Sequence, residues 1–456
     1  MRYALRYKEE NNFYYQNVNL MFKCFFLRAM NVYKLPMKNL LLVLLSSIVI
    51  SLQAQYDDIL YRNHTYFDFI QSVQFSHSGL VLSLPIINLG SSGQLTLEFD
   101  DREGGYKNYT YQILHCDKDW NPSNLTELEF MEGFNGEEIN EFAYSTNAYS
   151  DYTHYTLVLP NEDLRWTISG NFLLIIYDQD MEHTVLTRQF IVTESAAEVS
   201  GLVIKPQNLQ KMNTHQELKV NVNYDDIRIM RPQQELFLTV MQNGNTNSAY
   251  SNVKGTFTRN NTLFFDDFDA LTFPALKEFR SCDVRTLKYR SEFVHSINQE
   301  DGVTYVLMDL GRKRANKHYY TEPDANGGYI IENKDFAGGE VSSEYVQAIF
   351  TLETEGELEE DVYIVGAFTD WQVREQFRME YDHSRGLYEK TLHLKQGFYD
   401  YMFATEDQNG MLNLDIIEGS WFETENDYQL IIYYREMGGE YDRVLDVSVI
   451  NSNPSN

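Results

Sequence analysis

Cysteine and clustered basic residues are both scarce in this chain. Of its 456 residues only three are Cys, and 37 Lys and Arg stand against 67 Asp and Glu, for a formal net charge of −30. So few cysteines exclude a disulfide-rich scaffold and a cysteine-rich metal site. The acidic balance argues against a nucleic-acid partner, because phosphates are bound by clustered Lys and Arg.

The motifs that usually mark catalytic or cofactor sites are also missing. The sequence contains no H-E-x-x-H, C-x-x-C, G-x-G-x-x-G or G-x-x-x-x-G-K pattern, and its ten His residues lack metal-ligand spacing. Acidic clusters such as residues 266–269 have no glycine-punctuated calcium loop. We therefore predict a non-enzymatic protein with no cofactor and no metal. A glycosidase carboxylate pair stays open, because the acidic residues offer too many candidate pairs.

Residues 37–54 have the layout of a secretory signal peptide. Lys38 supplies a positive charge, and the apolar run at residues 40–50 is shorter than the about 20 residues that a transmembrane helix needs. We predict cleavage after Ala54 and no later membrane span. Residues 1–36 do not suit a signal peptide and are interpreted as a mis-called upstream extension, with a long n-region as the alternative.

The rest of the chain has the pattern of β-structure. Leu95, Leu97 and Phe99 alternate with polar residues, as in a half-buried strand, and residues 172–177 form a continuous apolar run of strand length. Turn signals such as Asn243-Gly244 separate these runs. This texture predicts an all-β fold with three consecutive immunoglobulin-like or early-set β-sandwiches after the signal peptide.

Shifts in composition divide the mature chain into three predicted domains. The small, polar stretch at residues 194–198 ends the first β-sandwich, which covers residues 55–198. The middle sandwich covers residues 199–339, and the third covers residues 340–456, including a polar tail. Two cysteines, Cys116 and Cys282, fall in different predicted domains. They are expected to be buried, unpaired thiols, although an oxidising compartment leaves a disulfide open.

The segment at residues 109–125 supplies the first candidate binding residues. Asp, Asn and Ser in its second half cap tight turns, and Pro fixes φ, so the loop is expected to be well formed. Trp120 would either anchor a partner protein or pack into the end of the sandwich, and buried aromatics are the commoner case. The candidate partner-binding residues are Trp120, Asn121, Pro122, Tyr152 and Trp166.

A second motif lies at residues 362–371, VYIVGAFTDW, and is followed by GFYDYMF at residues 397–403. It resembles the early-set modules that include carbohydrate-binding family 48, with Thr369 in place of the usual Asn. In glycan-binding members of that family a Trp stacks on sugar, and Trp371 is the matching residue. The resemblance implies the fold of the third domain, but fold alone does not carry function.

Four longer strings resemble the type IX secretion system plug protein family of Bacteroidota. They lie at residues 82–101, 115–125, 152–178 and 273–289. The resemblance implies a non-enzymatic periplasmic protein that binds the large outer-membrane translocon barrel of type IX secretion. It would seal the periplasmic opening of that barrel when no cargo is being exported. Neither a nucleic acid nor a direct membrane span is expected.

Two other functions stay open at this stage. The first is a glycan-binding accessory protein that acts through Trp371 of the third domain. The second is a secreted hydrolase, which the missing motifs disfavour.

Overall fold

The computed structural model describes residues 59–178, 183–407 and 410–453. The predicted upstream extension, residues 1–36, and the predicted signal peptide, residues 37–54, lie outside the described residues. Contacts divide the chain into two units, residues 1–59 and residues 60–456, and the strands and helices of the described residues belong to the second unit. These elements are nearly all strands, so the prediction of an all-β, multi-domain sandwich fold is confirmed.

The first sandwich is built from two main sheets that share one core. Its elements are β1 (His64–Thr65), β2 (Ile70–His77), β3 (Ile86–Asn88), β4 (Leu95–Asp101), β5 (Tyr109–Cys116), α1 (Glu127–Phe130), β6 (Met131–Gly133), β7 (Glu137–Glu138), β8 (Glu141–Tyr144), β9 (Thr153–Leu159), β10 (Leu164–Trp166), β11 (Gly170–Asp178) and β12 (His183–Thr193). One sheet has the order β1-β12-β11-β5-β7, with β3 parallel to β12, and the other has the order β2-β4-β9-β8. Strands β6 and β10 form a separate pair.

The local pattern explains why these strands form. Leu95, Leu97 and Phe99 of β4 are fully buried while the polar residues Thr96 and Glu98 between them are less so, which is the alternation of a strand with one face on a core. The central strand β11 is buried along nearly its whole length, because strands flank it on both sides and both of its faces are covered.

The middle sandwich combines seven consecutive strands with two strands from the C-terminal end of the chain. Its elements are β13 (Glu198–Ile204), β14 (His215–Asn223), α2 (Pro232–Glu235), β15 (Leu236–Gln242), β16 (Asn245–Val253), β17 (Phe257–Arg259), β18 (Thr262–Phe265), β19 (Thr272–Pro274), β31 (Asp427–Tyr434) and β32 (Arg443–Asn451). One sheet has the order β13-β14-β18-β17 with β19 beside β14, and the other has the order β16-β15-β31-β32.

The third sandwich lies between these two parts of the middle sandwich in the sequence. Its elements are β20 (Arg280–Asp283), β21 (Val294–Glu300), β22 (Val303–Met308), β23 (Gly311–Arg312), β24 (Tyr329–Ile331), α3 (Gly339–Ser342), β25 (Tyr345–Glu353), β26 (Val362–Val365), the 3-10 turns Ala367–Thr369 and Glu375–Phe377, β27 (Glu380–Asp382), β28 (Leu387–Lys395), β29 (Gly397–Glu406) and β30 (Leu412–Asn413). In one sheet β29 pairs with β20, β24, β26 and β30, and the other has the order β21-β22-β25-β28-β27 with β23 beside β25.

Sheet membership differs from the three consecutive segments expected from composition. Strands β31 and β32 fall in the segment 340–456 but complete a sheet with β15, in which Leu236 pairs with Tyr434. Strands β20 to β24 fall in the segment 199–339 but pair with strands of the third sandwich. The chain therefore leaves the middle sandwich after β19 and returns to it at β31. Composition does not record such a return, because strand pairing between distant segments leaves no local mark.

Two thiols lie in the described part of the chain, Cys116 in β5 and Cys282 in β20, and both are buried and unpaired. They lie in the first and third sandwiches, in strands of different sheets. Burial raises the pKa of the Cys116 thiol to about 12, so that it stays protonated and behaves as an apolar core group.

Candidate partner-binding surface

The loop after β5 is held together by one carboxylate. Asp117 accepts hydrogen bonds from the backbone N–H groups of Asp119 and Asn121, both at 2.9 Å, and from the side-chain amide of Asn121 at 3.2 Å. Trp120 adopts a left-handed backbone conformation, with φ of 64°. A short β-bridge between Cys116 and Pro122 closes the loop. These local bonds fix the direction in which the Trp120 side chain leaves the loop.

Trp120 points towards the middle sandwich. Its partly buried ring packs on a cluster formed by Ile191 of β12, by Met241 of β15 and by three residues of β31 and β32, namely Ile431, Tyr433 and Val444. It therefore lies at the contact between the first and middle sandwiches. Its loop neighbours Asn121 and Pro122 are exposed.

Two polar bonds fasten the same loop to the middle sandwich. The backbone N–H of Lys118 donates to the Asp442 carboxylate at 2.9 Å, and the side-chain amide of Asn252 donates to Asp119 at 2.5 Å. The loop thus acts as a connection between two sandwiches within this chain.

Tyr152 and Trp166 are both buried. Tyr152 is 1% exposed, and its hydroxyl donates to the backbone carbonyl of Ser343 in the third sandwich at 2.9 Å. Trp166 is 8% exposed and packs against Phe172 and Phe190 in the core of the first sandwich. In this state neither ring offers a free face to a partner, so a partner-binding role for these two residues stays a prediction.

Trp371 follows the 3-10 turn Ala367–Thr369 and is 5% exposed. Its ring meets Phe279 edge-on at 5.8 Å, and its backbone carbonyl accepts a hydrogen bond from the Asn247 side chain of the middle sandwich at 2.7 Å. A sugar stacks on an exposed aromatic face, and Trp371 has none in this state. The proposed glycan-stacking role has no support from its position, and the resemblance to early-set modules stays a prediction.

A buried ionic cluster joins the first sandwich to the third. Asp100 of β4 is 0% exposed, and Lys395 of β28 is 1% exposed; the Lys395 ammonium donates to the Asp100 carboxylate at 2.6 Å. Tyr345 donates to the same oxygen at 2.6 Å, and His154 bonds the other oxygen at 2.8 Å. We call Asp100, Lys395, Tyr345 and His154 the interlock. Sequence reasoning missed it, because its four members lie far apart in the chain.

The charges within the interlock support one another. Burial opposes the ionisation of Asp100, but Lys395 and His154 still hold the pKa of its carboxyl below the usual value. Burial would lower the pKa of His154, but the hydrogen bond to Asp100 and the nearby Glu98 carboxylate raise it to about 9. His154 is therefore protonated at neutral pH. Because two cationic groups surround one carboxylate, the cluster stays ionised inside the protein.

Exposed aromatic side chains occur at the outer edge of the first sandwich. Phe142 and Tyr144 lie on β8, which ends the sheet order and, among the described strands, pairs with β9 alone. The Phe142 ring lies 4.9 Å from that of Tyr106 and 5.8 Å from that of Tyr144, and Tyr144 is 54% exposed. We call Tyr106, Phe142 and Tyr144 the aromatic edge. The alternation of Phe142 and Tyr144 in a short strand is the sequence signal that could have identified it.

Neither metal-binding clusters nor membrane-spanning helices occur in the described part of the chain. Among residues 59–178, 183–407 and 410–453, no three His, Cys, Asp or Glu side chains are grouped so as to hold a metal ion. No helix within the same ranges combines the length and the apolar character needed to cross a membrane.

Comparisons with known proteins point to one family. Residues 70–194 match the model of the type 9 secretion system plug protein 1st domain. The chain also resembles a crystal structure described as a hypothetical protein from Parabacteroides merdae, at 28% identity and a TM-score of 0.83, covering 86% of this chain and 100% of that chain.

Other likenesses are weaker. The C-terminal domain of the AgI/II polypeptide BspA from Streptococcus agalactiae aligns at 7% identity over 83% of this chain and 98% of that chain, but its TM-score of 0.14 carries no structural argument. No curated protein matches the chain. The match over β2 to β12 and the following turn supports the plug family of type 9 secretion, which the sequence strings predicted.

Proposed function

We propose that this protein is a non-enzymatic periplasmic plug, which binds the outer-membrane translocon barrel of type IX secretion and seals its periplasmic opening between rounds of export. The match of residues 70–194 to the first domain of the plug proteins is the observation that carries the proposal. We also propose that the plug binds the barrel reversibly, because cargo must displace it.

The physical demand on a plug is resistance to deformation. A barrel with a very high strand number has a wide, polar lumen, and an unsealed lumen would let solutes cross the outer membrane. The contacts between the sandwiches of this chain suit that demand. Trp120 packs between the first and middle sandwiches, the interlock joins the first to the third, and Asn247 bonds the backbone of Trp371 between the middle and the third.

The aromatic edge is the contact surface that we assign to this binding. Exposed Tyr and Phe side chains are frequent anchors in protein interfaces, where they bury a large area at low entropic cost. Within the described residues, strand β8 also carries an unpaired edge, which a partner strand can extend. Asn121 and Pro122, which are exposed beside the first-to-middle contact, stay secondary candidates.

Affinity purification from native membranes tests the proposal. A tagged chain should recover a very large outer-membrane barrel, and a Tyr144→Ser variant should recover about tenfold less, as expected for an interface anchor that contributes about 1.4 kcal/mol. Tyr289→Ser is the matched control, because Tyr289 is 75% exposed and follows β20 of the third sandwich, outside the aromatic edge. Recovery of no such barrel with the wild-type chain would contradict the plug proposal. Equal loss in both variants would contradict the assignment to the aromatic edge.

A second experiment concerns sealing. Deleting the gene should make cells sensitive to large hydrophilic antibiotics while export continues, because the lumen would stay open. The wild-type gene should restore resistance, and the Tyr144→Ser allele should restore it only in part. Unchanged permeability in the deletion strain would count against sealing.

A further inference from the structure

A cationic cavity opens on the third sandwich, in a chain whose overall charge is strongly negative. Its volume is about 290 Å³, and five basic side chains line it: Lys277, Arg280, Arg312, Arg314 and Lys317. They come from the segment around β20, from β23 and from the loop that follows β23. A concentration of cations around one concavity is unexpected when acidic residues outnumber basic ones 67 to 37.

Part of this positive charge has a structural use. The buried carboxylate of Glu418 accepts hydrogen bonds from Arg280 at 2.9 Å and from Arg314 at 2.6 Å. Burial opposes the ionisation of Glu418, but the two guanidinium groups lower its pKa to about 2. Two positively charged arginines thus share one negative carboxylate, which leaves a net positive charge at the cavity.

The remaining cations are less compensated. Lys277 is 5% exposed, and its ammonium donates to the backbone carbonyls of Arg314, at 2.5 Å, and Lys317, at 3.0 Å. Among the described residues, no carboxylate forms an ion pair with Lys277 or Lys317, and Arg312 pairs with the exposed Glu353 alone. Burial beside Arg314 lowers the pKa of Lys277 to about 8. Such a site gains free energy when a negative charge enters.

Two acidic side chains also line the cavity: Glu322, which is half-buried, and Glu278, which is buried. Glu278 is 4% exposed; one of its carboxyl oxygens accepts a hydrogen bond from Tyr319, whereas the other is buried without a partner among the described residues. Burial raises the pKa of Glu278 to about 7, against the Tyr319 hydrogen bond and with help from the nearby Asp324 and Glu425. In its neutral form the carboxyl has an O–H that can donate to an anion.

We propose that this cavity is a binding site for a small, multiply charged oxyanion, either an inorganic sulfate or phosphate or a compact polycarboxylate. The cavity has the volume of about ten water molecules at ~30 Å³ each, which accommodates either class. Lys317 and Arg312 at its rim supply exposed charge, and Lys277 and Glu278 supply buried donors at its floor. This inference does not depend on the plug proposal.

Calorimetric titration of the full chain tests the site. Sulfate, phosphate and citrate are titrated separately at constant ionic strength, adjusted with NaCl. Lys317→Ala and Arg312→Ala should each weaken binding by about tenfold, the value of one charge-assisted contact. Lys205→Ala is the matched control and should leave binding unchanged, because Lys205 lies on the middle sandwich and faces Glu423 at 4.0 Å. Stronger binding of citrate would assign the polycarboxylate class, and equal or stronger binding of sulfate and phosphate the inorganic class.

Sulfate also gives a clean pH profile, since its charge is constant between pH 6 and pH 8.5. Its affinity should fall by about tenfold or more over this range, because Glu278 gains a negative charge and Lys277 loses its proton. Other charged or titratable groups surround each of these two side chains. Those around Glu278 are Tyr319, Asp324, Glu425 and the Arg314 guanidinium. Those around Lys277 are Arg280, Arg314, Lys317 and Glu418. In Glu278→Gln the fall between pH 6 and pH 7.5 should disappear.

Two results would overturn the anion-site proposal. It fails if none of the three anions binds the wild-type chain more tightly than chloride does. It fails as well if binding is equally strong in Lys317→Ala, Arg312→Ala and Lys205→Ala, because the anion would then bind somewhere else.

Discussion

Replacing Lys395 by Met tests how strongly the interlock joins the first and third sandwiches. In the native protein the Lys395 ammonium donates to Asp100 and to the backbone carbonyl of Glu340, both at 2.6 Å, and lies 4.2 Å from the Tyr152 ring centre. Met keeps the length and the apolar stem of the side chain but removes its charge. The Asp100 carboxylate then stays fully buried with one cationic neighbour fewer.

The structure sets the size of the effect. Removing one member of a buried ion pair costs about 3–5 kcal/mol, because the other charge stays buried and uncompensated. Asp100 still keeps the Tyr345 hydroxyl at 2.6 Å and the His154 ring at 2.8 Å. We therefore expect the low end of the range, a loss of about 3 kcal/mol in the free energy of unfolding at neutral pH. Adding Asp100→Asn removes the stranded charge, so the double variant should be more stable than additivity predicts by about 2 kcal/mol.

Urea unfolding at pH 7.5, followed by tryptophan fluorescence, measures these differences. Arg385→Met is the matched control, because Arg385 pairs with Glu389 on the surface of the same sandwich and exposed pairs contribute little. Its unfolding midpoint should stay close to that of the wild type. A Lys395→Met variant as stable as the control, or a double variant whose losses simply add, would refute the reasoning.

Three further expectations follow from buried groups and from backbone conformation. Because folding raises the pKa of His154 from 6.5 to about 9, the protonated ring stabilises the folded protein fully below pH 6.5, and this stabilisation is lost as the pH rises through 9. At about 1.4 kcal/mol per pH unit, the difference in unfolding free energy between the wild type and His154→Gln should shrink by up to about 3 kcal/mol across that window. A difference that stays constant with pH would contradict the assignment. Trp120→Ala should cost about 2 kcal/mol in urea unfolding, less than a fully buried Trp, whereas an unchanged midpoint would mean that its contact between sandwiches is weak. Gly327→Ala should lower the free energy of unfolding by about 3 kcal/mol, because φ is +82° and the new methyl group would lie 2.5 Å from the Trp371 ring. Gly79→Ala is the control, since Gly79 has the same φ but open space around it, and should cost only about 1 kcal/mol. Equal losses in the two variants would exclude the clash.

Local patterns in the sequence were sufficient for several strands and for the general class of fold. Period-2 alternation marked β4, the apolar run at residues 172–177 marked β11, and the missing motifs argued against catalysis. The strings at residues 82–101, 115–125 and 152–178 also identified the family that the match at residues 70–194 supports. These features are local, since they depend on residues that are neighbours in the chain.

For the candidate binding residues, the local sequence could not predict whether the side chain is buried or exposed. An aromatic residue has the same identity in a core, between two sandwiches and in an exposed interface. The sequence therefore could not decide which of these positions Trp120, Tyr152, Trp166 and Trp371 occupy. Their surroundings come from strands that are far away in the sequence. The sequence also did not reveal that the aromatic edge is exposed. The exposure of β8 depends on its position at the end of a sheet, which only the fold determines.

The sequence by itself therefore determined several strands, the all-β class and the family resemblance, because alternation, turn residues and motif strings are properties of short segments. Only the tertiary structure decided that β31 and β32 return to the middle sandwich, that Asp100 meets Lys395, and that five basic side chains line one cavity. The physical reason is that backbone pairing and burial join segments that lie far apart in the chain, and no short stretch records its distant partner.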